Sequence, residues 1–210
     1  FCGLSKKKEQ QQLSQSSPLE QKAILEKKEK IGIQCFVDAS DIGIQRPLCP
    51  VEQEDKYSGK HGGHKDKNTY ITDEYSTVLY LGHTTNGKVH DKKMIQQEAI
   101  NFPDDAFLWK DLGYQGYLPK NVHCFEPHKK PRNKELTDDQ KAENQLIASI
   151  RIVAEHAIGG VKRCRILKDT IRLYCAKLRD KVIETCVGLH NLRVSKRKPY
   201  NINEIFTLPQ

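Results

Sequence analysis

None of the seven cysteines (Cys2, Cys35, Cys49, Cys124, Cys164, Cys175, Cys186) pairs with another at a C-x-x-C spacing. Zinc ribbons depend on such pairs, so that class of metal site is excluded. His61 and His64 have a ligand-like spacing, but no matching Cys or His pair follows them. Thiols scattered in this way read as reduced side chains in a cytosol. The chain also has no apolar run near the roughly 20 residues that cross a bilayer, which excludes a membrane-spanning helix. Its opening residues show no signal-peptide pattern, and the first is not methionine. Tyr57 and Tyr114 stand without the Arg and His constellation of a tyrosine recombinase, which excludes that nucleophile.

Positive charge is abundant. The chain of 210 residues carries 35 Lys plus Arg against 27 Asp plus Glu, a net +8, and the excess is unevenly placed. Residues 120 to 134 hold five cations and one acid, and residues 151 to 172 hold six and two. Such clusters suit a phosphodiester polymer, whose backbone attracts them whatever its base sequence. The length accommodates one domain with a sizeable core. Residues 1–31 differ from the rest: Lys-rich, Gln- and Ser-rich and weakly periodic, they read as a linker or a remnant of a preceding region, with a short helix near 19–30. From 32 to 194 the pattern is mixed, with strands expected near 33–38, 68–73, 77–82, 106–111 and 121–126 and a helix near 91–100. Thr137-Asp-Asp-Gln140 is a capping-box signature opening a helix through about Arg163. A last helix near 176–194 places Leu178, Val182, Cys186, Leu189 and Leu192 on one side, and 195–210 form a tail. Periodicity alone gives an α/β fold.

Three acids stand out within this pattern. Cys35-Phe-Val is a strand-favouring apolar run leading to Asp38, and Phe107-Leu-Trp leads likewise to Asp111, followed by a Gly-containing turn. Within the helical run from Arg151 to Lys162, Arg151 and Glu155 are neighbours at i, i+4, and Lys162 returns toward their side. Ile147, Ile150, Ala154, Ala157, Ile158 and Val161 form a separate apolar stripe for burial. An aspartate closing a strand is common, and Arg151–Glu155 can be an ordinary surface ion pair. In the order strand, strand, helix, however, the acids can also hold a divalent metal beside a phosphate.

These residues resemble the DDE triad of insertion-sequence transposases, in the superfamily-endonuclease group related to Harbinger elements. The resemblance extends to ordered blocks: Ile44-Gln-Arg-Pro47, Tyr57-Ser-Gly-Lys60, His64 with Lys67-Asn68, and Gly87 with His90-Asp91. Asp111-Leu-Gly-Tyr-Gln-Gly116, Pro127-His-Lys-Lys-Pro131, Glu135-Leu-Thr137 and the Arg151 to Lys162 run continue it, so that about residues 36 to 194 are covered. The resemblance implies an RNase H-like fold over 32–194 and a transposase catalytic domain that cuts DNA and joins 3′ hydroxyl ends to a target. It implies two Mg²⁺ ions, with Mn²⁺ able to substitute, held by Asp38, Asp111 and Glu155, with Asp38 bridging. DNA, as transposon ends and target, is the implied partner, with a homodimer or higher assembly on it and no membrane. The implied location is the cytoplasm, on the nucleoid if the host is bacterial.

Lys60, His64, Lys67, Lys129, Lys130, Arg151, Lys162 and Arg163 are the expected DNA-binding side chains. For Arg151 a structural pairing with Glu155 is the simpler role. His90-Asp91 open a helix, where Asp serves as a terminal residue, or act as auxiliary site residues. Three departures from the family pattern stand out. Asp38-Ala-Ser replaces the usual Asp-Gly-Thr, and Lys65-Asp66 put charge where apolar strand residues are expected. The chain also opens on Phe1-Cys-Gly-Leu-Ser5, resembling the tail of a preceding helical region without its helix-turn-helix. A catalytic half, a second reading frame or a decayed copy would each account for that opening. The rival reading is an inactive or domesticated remnant that binds DNA without catalysing transposition. A nuclease acting on RNA hybrids shares the acids but not the Arg151, Glu155 and Lys162 spacing.

Overall fold

The computed structural model describes residues 32–59 and 62–197. The expected linker at 1–31, its short helix, Lys60 and the end of the tail lie outside those residues.

Strand β1 (Gln34–Gly43) is the axis of the sheet. It pairs antiparallel with β3 (Gly63–Thr72) and parallel with β6 (Ala106–Trp109), which in turn pairs parallel with β7 (Val122–Phe125). Three short strands, β2 (Tyr57–Ser58), β4 (Val78–Leu81) and β5 (Thr85–Asn86), attach to β3. The path β2-β3-β1-β6-β7 therefore joins an antiparallel half to a parallel half, the mixed α/β sheet of an RNase H-like fold. All four residues of β6, Ala-Phe-Leu-Trp, are buried, as expected of a parallel strand covered on both faces.

Helices supply that cover. α1 (Pro50–Lys56) was not apparent from the apolar pattern, because none of its residues is buried. α2 (Asp91–Glu98) lays Ile95 against Val37, Leu108 and Tyr114 on one face of the sheet. α3 (Asp138–Val161) covers the other face, where Ala154 and Ile147 meet Phe36 and Trp109, and Ile158 and Val161 meet Ile42 and Tyr70. Each such side chain contributes roughly 1.5–3 kcal/mol when fully buried. The expected capping box is present: Thr137 accepts from the Gln140 backbone N–H at 3.3 Å, and Gln140 accepts in return at 3.1 Å. After α3 come the single turn α4 (Arg165–Lys168) and α5 (Ala176–Arg197).

Two expectations need correction here. The face of α5 that is buried carries Arg179, Ile183, Cys186, Val187 and His190, while Leu178, Leu189 and Leu192 are exposed. Of the expected face, Cys186 is buried and Val182 packs on the core, while Ile183 and Val187, with the partnered Arg179 and His190, take the place of the leucines. The helix also runs through Arg197, past the end expected near 194. The unusual charge at Asp66 is explained as well. Its carboxylate is buried between Arg179 Nε and Lys56 Nζ, each at 2.6 Å, and so ties β3 to α5 and α1.

Candidate active site

The sheet register brings the first two acids together. Phe36 of β1 is the parallel partner of Trp109 of β6, and two residues further along each chain stand Asp38 and Asp111. Asp38 was expected to end its strand, but β1 continues to Gly43 and Asp38 lies in its middle, opposite Tyr70 of β3. Only its β6 neighbour has ended. The edge left open there gives the carboxylate access, while the Ala39 N–H donates to Asp38 Oδ1 at 2.8 Å and fixes it. Asp111 begins the single 3-10 turn Leu112–Tyr114. A Cβ at Gly113 would lie 2.7 Å from an Asp91 carboxylate oxygen, so a side chain there would have to displace the Asp91 carboxylate. Beneath it, the fully buried Lys110 donates to the Tyr117 carbonyl at 2.5 Å and pairs with Glu126 at 2.8 Å, pinning the turn to β7.

The third acid comes from α3. Glu155 is exposed one turn beyond Arg151, which is buried. Arg151 was expected to pair with Glu155, but its Nη1 lies 3.3 Å from Asp111 Oδ1 instead. Helical spacing alone gave the i, i+4 neighbour; the sheet supplied a nearer carboxylate across the interface. Asp38 is sensitive to all of these groups. Burial is the main cause that pushes its carboxyl up to about 6; the Ala39 N–H and Arg151 oppose this, and the Asp111 and Glu155 charges add to it. Asp111 and Glu155 thus both act on Asp38 electrostatically. Among the described residues, however, no three His, Cys, Asp or Glu side chains form a cluster able to hold a metal ion as they stand.

A cationic groove of about 970 Å³ runs beside the downstream half of β1, with Lys65, Lys67, Lys88, Lys162 and Lys168 in its walls. Lys162 was expected near Glu155, but it donates from Nζ to the Asp41 carbonyl at 2.9 Å, and burial lowers its pKa. Lys67 is held by Asp91 at 3.0 Å and the Val89 carbonyl at 3.2 Å, so much of its charge is already committed. His90 caps α2 by accepting from the Lys92 N–H, and Asp91 is its first residue, which is the structural role expected of the pair. His64 packs edge-on against Tyr57. Lys129 is exposed on the loop before α3, and Lys130 there pairs with Glu135 at 2.5 Å. His128 clasps this loop to Glu143 and, through its backbone, to Asn144 at 2.7 Å. Arg163 lies apart from the groove, in a second cavity beside Glu155. Lys65, Lys88 and Lys168 were not anticipated, although Lys65 and Lys67, two apart on a strand, had to share a face.

Comparison with known proteins agrees with this geometry. The family described as DDE superfamily endonuclease matches residues 37–191, a stretch that contains all three acids. The "Probable transposase for insertion sequence element IS702" of Microchaete diplosiphon is 31% identical over 137 residues, 65% of this chain and 49% of that protein. The chain thus spans about half the length of that curated relative. No solved structure matches significantly. With that family's match running over residues 37–191, most of the chain, the chain belongs to the DDE superfamily endonucleases.

Proposed function

We propose that residues 32–197 form the catalytic domain of a transposase, cutting DNA phosphodiester bonds and joining the resulting 3′ hydroxyl ends to target DNA. The observation that carries this reading is the register that sets Asp38 beside the β6 exit at Asp111, with burial raising the Asp38 carboxyl and the Asp111 and Glu155 charges adding to it against Arg151. A fold gains nothing from such an arrangement unless a cation relieves it. Asp38, Asp111 and Glu155 are hard oxygen donors from three separate elements, the chemistry that suits Mg²⁺ or Mn²⁺. When bound, such ions neutralise phosphate charge and acidify an attacking water or hydroxyl.

The chain's own residues supply the remainder. The Ala39 N–H holds Asp38 in place, and the pinned turn after Lys110 holds Asp111. Arg151, now on Asp111, must yield for the acids to close on a shared ligand, and its guanidinium then becomes available to a phosphate oxygen. The lysine groove carries the flanking backbone, and its contacts with phosphates position the strand without reading bases.

The Arg151–Asp111 pair also favours a second reading, a DNA-binding remnant in which this ion pair occupies a ligand position permanently. Nicking of supercoiled plasmid in Mg²⁺ separates the two. The catalytic reading expects nicking by the wild-type chain and none by Asp38→Ala, with DNA binding retained in both. Binding without nicking by the wild type supports the remnant.

A further inference from the structure

Outside the acids and the lysine groove, the most strongly charged feature is a cavity of about 540 Å³ between the end of α3, the turn before β4 and the end of α5. Arg163, Arg193, Arg197, His156 and His190 line it, and among the described residues Glu155 at its edge is its one acid.

One of these cations is built into place. Arg193 Nη2 donates to the Gly160 carbonyl at 3.2 Å and to His190 Nδ1 at 2.9 Å. His190 is itself buried, and its Nε2 donates to the Ser76 carbonyl at 2.7 Å. These bonds fix the imidazole as the neutral tautomer with its proton on Nε2, and burial followed by the Arg193 and Arg163 charges lowers its pKa. A Cβ at Gly160 would collide with the His190 ring and come within 2.9 Å of Arg193 Nη2, so glycine is what lets α5 approach this closely. At the neighbouring Gly159 a Cβ would meet nothing, leaving bare helix surface on the cavity wall. Ordinary surface arginines sweep through many rotamers; this one has lost that freedom before any ligand arrives.

We propose that this arginine cavity is a second phosphate site, holding a backbone phosphate of the DNA strand that leaves the acids past Glu155. The inference rests on the nuclease reading and extends it. The guanidinium groups of Arg163, Arg193 and Arg197 in its walls match the oxygens of a phosphodiester. Glu155 borders the cavity, so this site adjoins one of the three proposed acids. A strand crossing the acids would be held on one side by lysines and on the other by arginines.

The test is fluorescence anisotropy with a labelled 30-base-pair duplex across a salt series, using the full chain. Arg163→Gln is the main variant, since Arg163 is exposed and its removal leaves the core intact. Lys141→Gln, at the opposite end of α3, removes the same charge away from the cavity. Arg163→Gln should weaken binding several-fold and reduce the slope of log K against log salt by about 0.9, the loss of one phosphate contact. Arg193→Lys should weaken it too, because an ammonium cannot keep the paired hydrogen bonds and still face a phosphate. Arg163→Gln and Lys141→Gln with the same affinity and slope would overturn this site and leave the nuclease reading standing. A wild-type chain that binds no DNA would overturn both.

Discussion

Two aspartates on neighbouring strands have opposite fates. Asp66 on β3 is buried with Lys56 and Arg179 each 2.6 Å from its oxygens. Asp38 on β1 is also mostly buried, and burial, with smaller contributions from the Asp111 and Glu155 charges, pushes its carboxyl up to about 6 although the Ala39 N–H and Arg151 oppose the rise. The fold satisfies the first internally and leaves the second in need of a cation. On the function proposed above, that difference separates a carboxylate kept for structure from one kept for chemistry, and it is visible only where charge, burial and partners are read together.

The sharpest way to break the comparison is to unpair Asp66. Arg179→Met would leave a buried charge with Lys56 alone and also strip donors from the Leu173 and Tyr174 carbonyls. A loss of about 3–5 kcal/mol is expected in urea unfolding, with part of it recovered when Asp66→Asn is added.

Asp38 should respond in the opposite sense. Its carboxyl is raised in the fold, from 3.8 to about 6, so the folded protein binds this proton more tightly than the unfolded one. Without metal, stability should therefore fall as pH rises from about 4 through about 6 and then level off. Asp38→Asn should abolish nicking, remove that slope, and stabilise the metal-free chain near pH 7.5 by on the order of 2 kcal/mol. An unchanged pH profile in this variant would show that Asp38 is not the strained group.

A smaller effect sharpens the role of Arg151, which opposes the rise at Asp38. Arg151→Met should move the midpoint of the same stability profile to higher pH. A midpoint that stays in place would mean that Arg151 serves Asp111 alone.

Much of this was legible in the residues. The apolar runs before Asp38 and Asp111, the capping box at Thr137 and the α3 stripe all obey local rules of period and capping, and they appear as expected. What the sequence could not give were pairings made across the sheet. Arg151 chose Asp111 over the helical neighbour Glu155, Lys162 turned to the Asp41 carbonyl, and Asp66 found its cations on α1 and α5. The buried face of α5 was misread for the same reason: Arg179 and His190 are drawn in by partners on other elements, and the leucines are left outside. The arginine cavity depends on Gly160 admitting His190, a contact between residues 30 apart in the chain that no local pattern encodes.

The central claim is that Asp38 is strained because it awaits a divalent cation shared with Asp111 and Glu155. Thermal melting at pH 7.5, with and without Mg²⁺, tests this most directly in the wild type, Asp38→Asn and Glu155→Gln. An ion that binds only the folded state should raise the wild-type melting temperature, by an amount approaching 3 kcal/mol of stability at about a hundred times its Kd. The account predicts that Asp38→Asn loses this increment and Glu155→Gln loses most of it. The same increment in all three proteins would place any bound Mg²⁺ elsewhere and contradict the claim.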